Sequence, residues 1–370
     1  MKTYMPLNGL RWSRNSGSAN CDIPQSAVFG RPGGGNNRVL EIDYFRSFII
    51  ILLVFMHSFV YNANTKSWPE PLGVQSLELY HFIQEISFSC LLESFTLISG
   101  YVFGYIYFVK NRELKLVPLI RGKIFRLMIP SIVFSIIYGC IFEQGISFSL
   151  KTIYQVVSGI GHMWYLPMLF QCFIFSYFLI RCNLNKWILL SSLLLLSIFS
   201  CMVPNYMQIS RTLYYLFFFY LGIQLVQIRE YIIEKVDTRV KYFIISYLIA
   251  LLPCLWLRIE LEENSYYILA NSIRLLYSIF GTLFLLMLFC KISLQHNNKM
   301  LKIVTFISGC SMGVYIFHQF ILKIFYYKTD VAASCGNIML PWVAFIISLT
   351  LSLLATCCAK KTSIGRFLLG

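Results

Sequence analysis

The feature that most constrains the fold is a series of apolar runs, each about long enough to cross a bilayer. A transmembrane helix needs about 20 apolar residues to span a hydrocarbon core of roughly 30 Å. Short polar breaks separate ten such runs, which cover residues 44–62, 86–109, 127–143, 164–181, 187–203, 211–227, 241–257, 268–290, 305–326 and 340–359. The sequence therefore predicts an all-α integral membrane protein, a bundle of about ten transmembrane helices.

The composition agrees with a membrane protein and argues against a soluble one. Of the 370 residues, 58% are hydrophobic and only 13% are charged, whereas a soluble domain carries about 25% charged residues. The net charge of +15 would suggest a nucleic-acid partner for a soluble protein, but in a membrane protein it indicates basic cytoplasmic loops. The 12 cysteines show no spacing typical of a zinc site, so we expect no metal.

The distribution of Lys and Arg predicts the orientation in the bilayer. Ten crossings place both termini on one side, and the segments on that side hold 23 of the 31 Lys and Arg residues, against five on the opposite side. Because basic loops are retained in the cytoplasm, both termini are predicted to be cytoplasmic. One missed helix would destroy this alternation, so the charge asymmetry also supports the number of spans.

The N-terminal segment differs in composition from the rest of the chain. Residues 1–38 are polar and rich in Gly, Asn and Ser, without the apolar stretch of a signal peptide. We predict a flexible cytoplasmic tail over 1–38, a transmembrane domain over 39–360 and a cytoplasmic C-terminal end over 361–370.

Two polar side chains in the first span stand out, because charges inside a bilayer are costly and usually functional. Arg46 and His57 are eleven positions apart, which is three helical turns plus about 20°, so both share one helix face about 16 Å apart along the axis. The pair offers an anion-binding guanidinium near the cytoplasmic surface and a general base beyond the midplane. The alternative is a snorkelling Arg and a His bonded to a neighbouring helix.

Five short segments also occur in a characteristic order between about residues 38 and 320. They are Arg46 with His57, Leu97–Tyr101, Arg126–Pro130, Gly161–Pro167 and Ser311–His318. Together they resemble the signature elements of the bacterial membrane acyltransferase-3 family, including its Arg, ten residues, then His in the first helix. The chain departs from the family pattern at Ser47, where Gly is common, and in its longer N-terminal segment.

The resemblance implies an enzyme of the bacterial inner membrane. Such proteins O-acylate cell-surface polysaccharides and other acceptors, so we expect transfer of an acyl group, such as acetyl, from a cytoplasmic acyl-CoA to a hydroxyl of a cell-surface or lipid-linked carbohydrate. The acyl-CoA is then a co-substrate, and no permanently bound cofactor is expected. The sequence leaves open the acceptor sugar, the acyl chain and the choice between direct transfer and an acyl-enzyme.

The resemblance also gives roles to basic residues near the cytoplasmic side. The phosphates of an acyl-CoA would meet Arg46 and the basic 110–126 loop, in which Arg121, Lys123 and Arg126 are the candidate donor-binding residues. The alternative is that these cations only determine the topology.

On the opposite side, several residues are candidates for catalysis and for acceptor binding. His57 is the predicted general base, and Glu93 is a carboxylate that can orient an imidazole and stabilise its charged form. His162, Trp164 and His318 are predicted to shape the acceptor site. Gly100, by contrast, is predicted to be a close packing point between helices.

The rival hypothesis is a transporter or flippase for a glycan or an anionic solute. Intramembrane Arg, His and Glu also mark substrate pathways. Transporters often contain internal repeats with Gly- or Pro-broken helices in matching halves. The sequence shows no such repeat, which favours the enzyme.

Overall fold

The computed structural model describes residues 39–61, 77–142, 149–182, 184–294, 298–329 and 334–369. Throughout these ranges the regular secondary structure is helical and contains no strand, which confirms the all-α prediction. The N-terminal tail predicted over 1–38 lies outside the described residues. All described residues belong to one structural unit, which runs from Arg38 to Gly370.

Fourteen α-helices are numbered here in chain order. The first seven are α1 (Leu40–Val60), α2 (Glu78–Phe88), α3 (Leu91–Gly104), α4 (Leu116–Lys123), α5 (Ile129–Phe142), α6 (Leu150–Ser158) and α7 (Tyr165–Arg181). The others are α8 (Lys186–Phe199), α9 (Ile209–Gln227), α10 (Arg229–Glu263), α11 (Tyr267–Leu294), α12 (Asn298–Lys328), α13 (Leu340–Lys361) and α14 (Ser363–Leu369). Short π-helical turns extend α3 over Tyr105–Val109 and join α4 to α5 over Ile124–Met128.

Within the described part of the chain, nine helical segments are long and apolar enough to cross a membrane. They are Leu40–Val60, Glu78–Val109, Leu116–Phe142, Gly161–Arg181, Tyr206–Gln227, Ile244–Glu263, Tyr267–Leu294, Asn298–Lys328 and Leu340–Lys361. The remaining predicted span, residues 187–203, corresponds to a shorter apolar helical segment, Lys186–Met202. The predicted third span was near the lower length limit, but its helical segment has 27 residues, because the helix continues through the basic residues at which the apolar run stops.

Helices α1 and α12 form a parallel pair that is joined by side-chain hydrogen bonds near both ends. Near their N-terminal ends, the Ser308 hydroxyl donates to the Asp43 carboxylate over 2.6 Å, and the Ser47 hydroxyl donates to the Val304 carbonyl over 2.7 Å. Near their C-terminal ends, the Tyr326 hydroxyl donates to the Ser58 carbonyl over 2.8 Å. This register brings the last turns of α1 beside the middle of α12.

Helices α3 and α9 approach so closely that glycine is required at the contact. A Cβ atom on Gly100 would collide with the backbone of Phe219, and one on Gly222 would collide with the carbonyl oxygen of Leu97. Small residues allow such close approach of membrane helices, so the packing role predicted for Gly100 is confirmed. The contact places the first turns of α3 against the first turns of α9.

The C-terminal residues form a short helix. Helix α14 follows α13 after Thr362, and its Leu369 is buried. Phe367 packs against Phe125 in the π-helical turn before α5, with ring centroids 5.8 Å apart. The segment predicted as a cytoplasmic C-terminal end therefore packs at the end of the bundle at which α4 lies.

Candidate functional site

Three histidines from three helical segments meet near one end of the bundle. The His57 and His318 ring centroids are 5.0 Å apart, and those of His318 and His162 are 5.3 Å apart. His318 is completely buried, His162 is 7% exposed and His57 is half-buried. The structure thus brings together three predicted site residues that lie far apart in the chain.

The hydrogen bonds of the first two imidazoles select one neutral tautomer for each. The Nδ1 of His318 lies 3.0 Å from the Val314 carbonyl oxygen, and the Nδ1 of His57 lies 3.0 Å from the Leu53 carbonyl oxygen. A carbonyl only accepts, so both Nδ1 atoms carry the proton. The His57 Nδ1 also lies 3.3 Å from the His318 Nε2, which is then the acceptor.

This arrangement leaves the His57 Nε2 as the atom with an available lone pair. No hydrogen bond among the described residues involves that nitrogen. A neutral imidazole held by its Nδ1–H and presenting Nε2 is the arrangement of a general base. The second imidazole can stabilise the positive charge that His57 acquires when it takes a proton.

The third histidine is positioned by a turn that only glycines fit. Gly159 has φ of 88° and Gly161 has φ of 59°, and a Cβ on Gly161 would meet the Tyr138 ring at 2.8 Å. His162 follows in the 3₁₀ turn Gly161–Trp164, which leads directly into α7. The conformation of this loop therefore fixes where the imidazole enters the bundle.

His162 is held from two sides by α12. Its Nε2 lies 3.0 Å from the Ile316 carbonyl oxygen, and the Tyr315 hydroxyl donates to the His162 carbonyl. The Nε2 must be the donor, so the Nδ1 is the acceptor, and it is buried without a hydrogen-bond partner in the described structure. An unsatisfied buried acceptor of this kind can receive a hydrogen bond from a ligand hydroxyl.

Glu93 lies in a different network from the one expected. Its Oε1 lies 3.1 Å from both the Arg274 Nη2 and the Tyr214 hydroxyl, and the carboxylate is almost fully buried. None of the hydrogen bonds found for His57, His162 and His318 involves Glu93. The expected role of orienting an imidazole is therefore replaced by a buried ion pair, because the α3–α9 contact directs this turn of α3 toward Tyr214.

Trp164 lies between the histidines and this ion pair. The Arg211 guanidinium stacks over its ring, with the central carbon 4.0 Å from the ring centroid. The Trp164 ring is 6.2 Å from that of Tyr215. Trp164 is half-buried, and its ring contacts protein side chains rather than lipid alone.

The candidate donor-binding cations lie toward the opposite end of the bundle. Arg46 is half-buried near the start of α1, eleven residues before His57 in an unbroken helix, which corresponds to about 16 Å. Within the described chain it forms no ion pair.

The basic residues of the 110–126 loop continue at that end. Arg121 and Lys123 lie in the last turn of α4, and Arg126 lies in the π-helical turn that follows. Such turns occur frequently at functional sites. The Lys123 ammonium lies 3.3 Å from the centroid of the Phe173 ring, and among the described residues none of the three cations pairs with a carboxylate.

The structure adds to the site four residues for which the sequence predicted no role. Tyr315, Arg211, Tyr214 and Tyr215 all contact predicted site residues. Tyr315 belongs to the same Tyr-x-x-His segment as His318, so its position was available from the motif. The other three became visible only from the packing of α9 against α3 and α7. No group of three or more His, Cys, Asp or Glu suited to a metal ion occurs in the described ranges.

Comparison with known proteins gives one match. The family model described as an acyltransferase domain, Acyl_transf_3, matches residues 39–359. No curated protein and no solved structure gives a significant match to the chain. The match covers every helix that contributes to the histidine cluster and to the basic end.

Proposed function

The chain belongs to the acyltransferase-3 family of membrane acyltransferases, and from this premise we propose that it transfers an acyl group, most simply acetyl, from a cytoplasmic acyl-CoA to a hydroxyl of a cell-surface or lipid-linked carbohydrate. The observation that carries the proposal is the histidine cluster. It presents the unprotonated Nε2 of the half-buried His57 beside two further buried imidazoles.

In the proposed direct transfer, the acceptor hydroxyl gives its proton to the His57 Nε2. Its oxygen attacks the thioester carbonyl carbon, the carbon–sulfur bond breaks, and the coenzyme A thiolate leaves and takes up the proton from the imidazolium. The Leu53 carbonyl, which accepts from Nδ1 over 3.0 Å, keeps the ring oriented through both steps. The His318 Nε2 lies 3.3 Å from the same Nδ1 and accepts its hydrogen bond, so the positive charge of the His57 imidazolium is stabilised by the second ring.

The donor would enter from the end at which the basic residues lie. Among the described residues, no carboxylate pairs with the three cations of this end, Arg121, Lys123 and Arg126. Their positive charge is therefore available to bind the phosphates of coenzyme A. The roughly 16 Å between Arg46 and His57 is a distance that the extended pantetheine arm of coenzyme A can bridge. The phosphates and the reacting carbonyl thus have separate positions along α1.

The sidedness is part of the proposal. Placing the basic end in the cytoplasm puts both termini there and puts the histidine cluster toward the outer half of the bacterial inner membrane, near an acceptor on the far side. Single cysteines introduced at Lys66, Arg112 and Lys235 should be labelled from outside, inside and inside by an impermeant thiol reagent, in a chain whose accessible native cysteines have been replaced. Any other pattern overturns the orientation.

The activity test uses membranes from cells that express the chain and acetyl-CoA carrying a labelled acetyl group. The label should appear in an alkali-labile ester on the envelope carbohydrate, and its rate of incorporation should fall about a hundredfold or more with a His57→Gln variant. A transporter or flippase would move an unmodified glycan or anion without incorporating label. Mass spectrometry of the glycans with and without the gene identifies the acyl chain from the added mass. Glycans that are identical in both cases would refute the proposal.

A further inference from the structure

Two arginines lie beside the proposed acceptor site, and the structure neutralises only one of them. The Arg274 guanidinium pairs with Glu93 over 3.1 Å, and its side chain is 27% exposed. The Arg211 guanidinium donates to the neutral Gln208 amide oxygen over 3.0 Å and stacks on Trp164. Among the described residues, no carboxylate pairs with Arg211.

The two cations belong to one cluster. The Arg274 Nη2 lies 3.4 Å from the Tyr215 hydroxyl, the Tyr215 ring lies 6.2 Å from that of Trp164, and Arg211 stacks on the Trp164 ring. In the described structure, Glu93 is the only carboxylate bonded to either arginine, so Arg211, Arg274 and Glu93 together carry a formal charge of +1. An uncompensated charge in a bilayer is costly and is normally retained for a ligand or a pathway.

A continuous wall of rings connects this cluster to the histidines. Successive ring centroids are 5.5 Å apart from His162 to Tyr315, 6.0 Å from Tyr315 to Tyr165, and 6.0 Å from Tyr165 to Trp164. Trp164 is only two residues from His162 in the same turn. A sugar bound over the half-buried Trp164 would therefore lie between the imidazoles and Arg211.

We propose that Arg211, supported by Arg274 and Trp164, forms an acceptor subsite for an oxyanion, so that the acceptor is an acidic sugar such as a uronic acid residue. This inference rests on the proposed function for its direction, since it describes where the acceptor lies. The planar guanidinium is suited to a carboxylate, because it presents parallel N–H donors. The Trp164 ring is suited to the apolar face of a pyranose, and the excess positive charge discriminates against neutral sugars.

The test measures binding, so it does not depend on acyl transfer. Purified full-length protein in an uncharged detergent is titrated with methyl β-D-glucuronide and with methyl β-D-glucoside, which differ only in the carboxylate, and affinity is followed by calorimetry. The glucuronide should bind more tightly by about ten- to a hundredfold, the range expected for a charge-assisted hydrogen bond. Arg211→Gln should abolish this preference, whereas Arg211→Lys should retain part of it, because the cation remains.

A matched control removes a different cation near the same end of the bundle. Lys328 is exposed at the end of α12, and Lys328→Gln should leave the preference unchanged. The thermal midpoint of each variant without sugar shows that it is folded. If Arg211→Gln does not fold, Trp164→Phe is tested instead. Its smaller ring should lower the affinity for both glycosides, while the preference for the glucuronide remains.

Two results would overturn the inference. The first is equal affinity for the two glycosides, or an unchanged preference in folded Arg211→Gln. The second is loss of glucuronide binding when phosphatidylglycerol is added to the micelles, which would assign the subsite to a lipid headgroup. Selective binding with no labelled acetyl transfer would instead retain this subsite and refute the proposed function, so the two failures are distinguishable.

Discussion

The substitution His57→Gln isolates the proton-accepting role of this imidazole. Glutamine has a similar reach, and its amide N–H can still donate toward the Leu53 carbonyl, which now accepts from Nδ1 over 3.0 Å. Its amide oxygen, however, is not a useful base at neutral pH. General-base catalysis contributes about 10²–10⁴-fold, so we expect turnover to fall by that factor, equivalent to about 3–5.5 kcal/mol in the barrier.

The assay compares kcat for purified protein in lipid nanodiscs with labelled acetyl-CoA and the glycan fraction of the envelope. Because the substitution leaves the basic end intact, KM for acetyl-CoA should change less than about threefold. His81→Gln is the matched control, since His81 lies in α2, and none of the hydrogen bonds of the three-histidine cluster involves it. A His57→Gln protein with near-normal kcat would refute the base role and leave His57 as a packing residue.

Three further predictions concern the ion pair, the helix contact and the donor site. Arg274→Met leaves the Glu93 carboxylate buried and unpaired, so the free energy of unfolding should fall by about 3–5 kcal/mol. Adding Glu93→Gln to the same chain should restore part of this stability, which a thermal melt measures. Equal melting temperatures of the single and double variants would contradict the pairing. Gly222→Ala introduces a Cβ against the α3 backbone and should cost about 1–3 kcal/mol, whereas Gly309→Ala meets nothing within 4 Å and should be neutral in the same melt. Replacing Arg126 by Gln should raise KM for acetyl-CoA several-fold at low salt and much less at high salt, because screening weakens exposed charge interactions; an effect independent of ionic strength would count against phosphate binding there.

The candidate site was only partly predictable, and the histidines and Glu93 show why. Local motifs identified His57, His162 and His318, since each lies in a short characteristic segment. His57 and His318 are 261 positions apart, and His162 bonds to Ile316, 154 positions away; nothing local in the sequence encodes such contacts. Glu93 was assigned to an imidazole because both were placed toward the same side, but depth in the membrane does not specify which neighbour a helix turn faces.

The class of protein and its helices follow from the pattern of apolar runs along the chain. Apolar runs of bilayer length form helices, because every backbone polar group must be hydrogen-bonded in lipid. The asymmetry of Lys and Arg between the two sides gives the predicted orientation. The position of Arg46 and His57 on one helix also follows from helical geometry alone.

The partners of each side chain, in contrast, depend on how the helices pack. The register of α1 against α12 brings His57 within hydrogen-bonding distance of His318. The glycine contact between α3 and α9 places Glu93 beside Tyr214 and Arg274, with which it forms its hydrogen bonds. Both depend on the rotation of each helix about its own axis. In a bilayer, that rotation is selected by close packing and interhelical hydrogen bonds, which arise between segments distant in the chain.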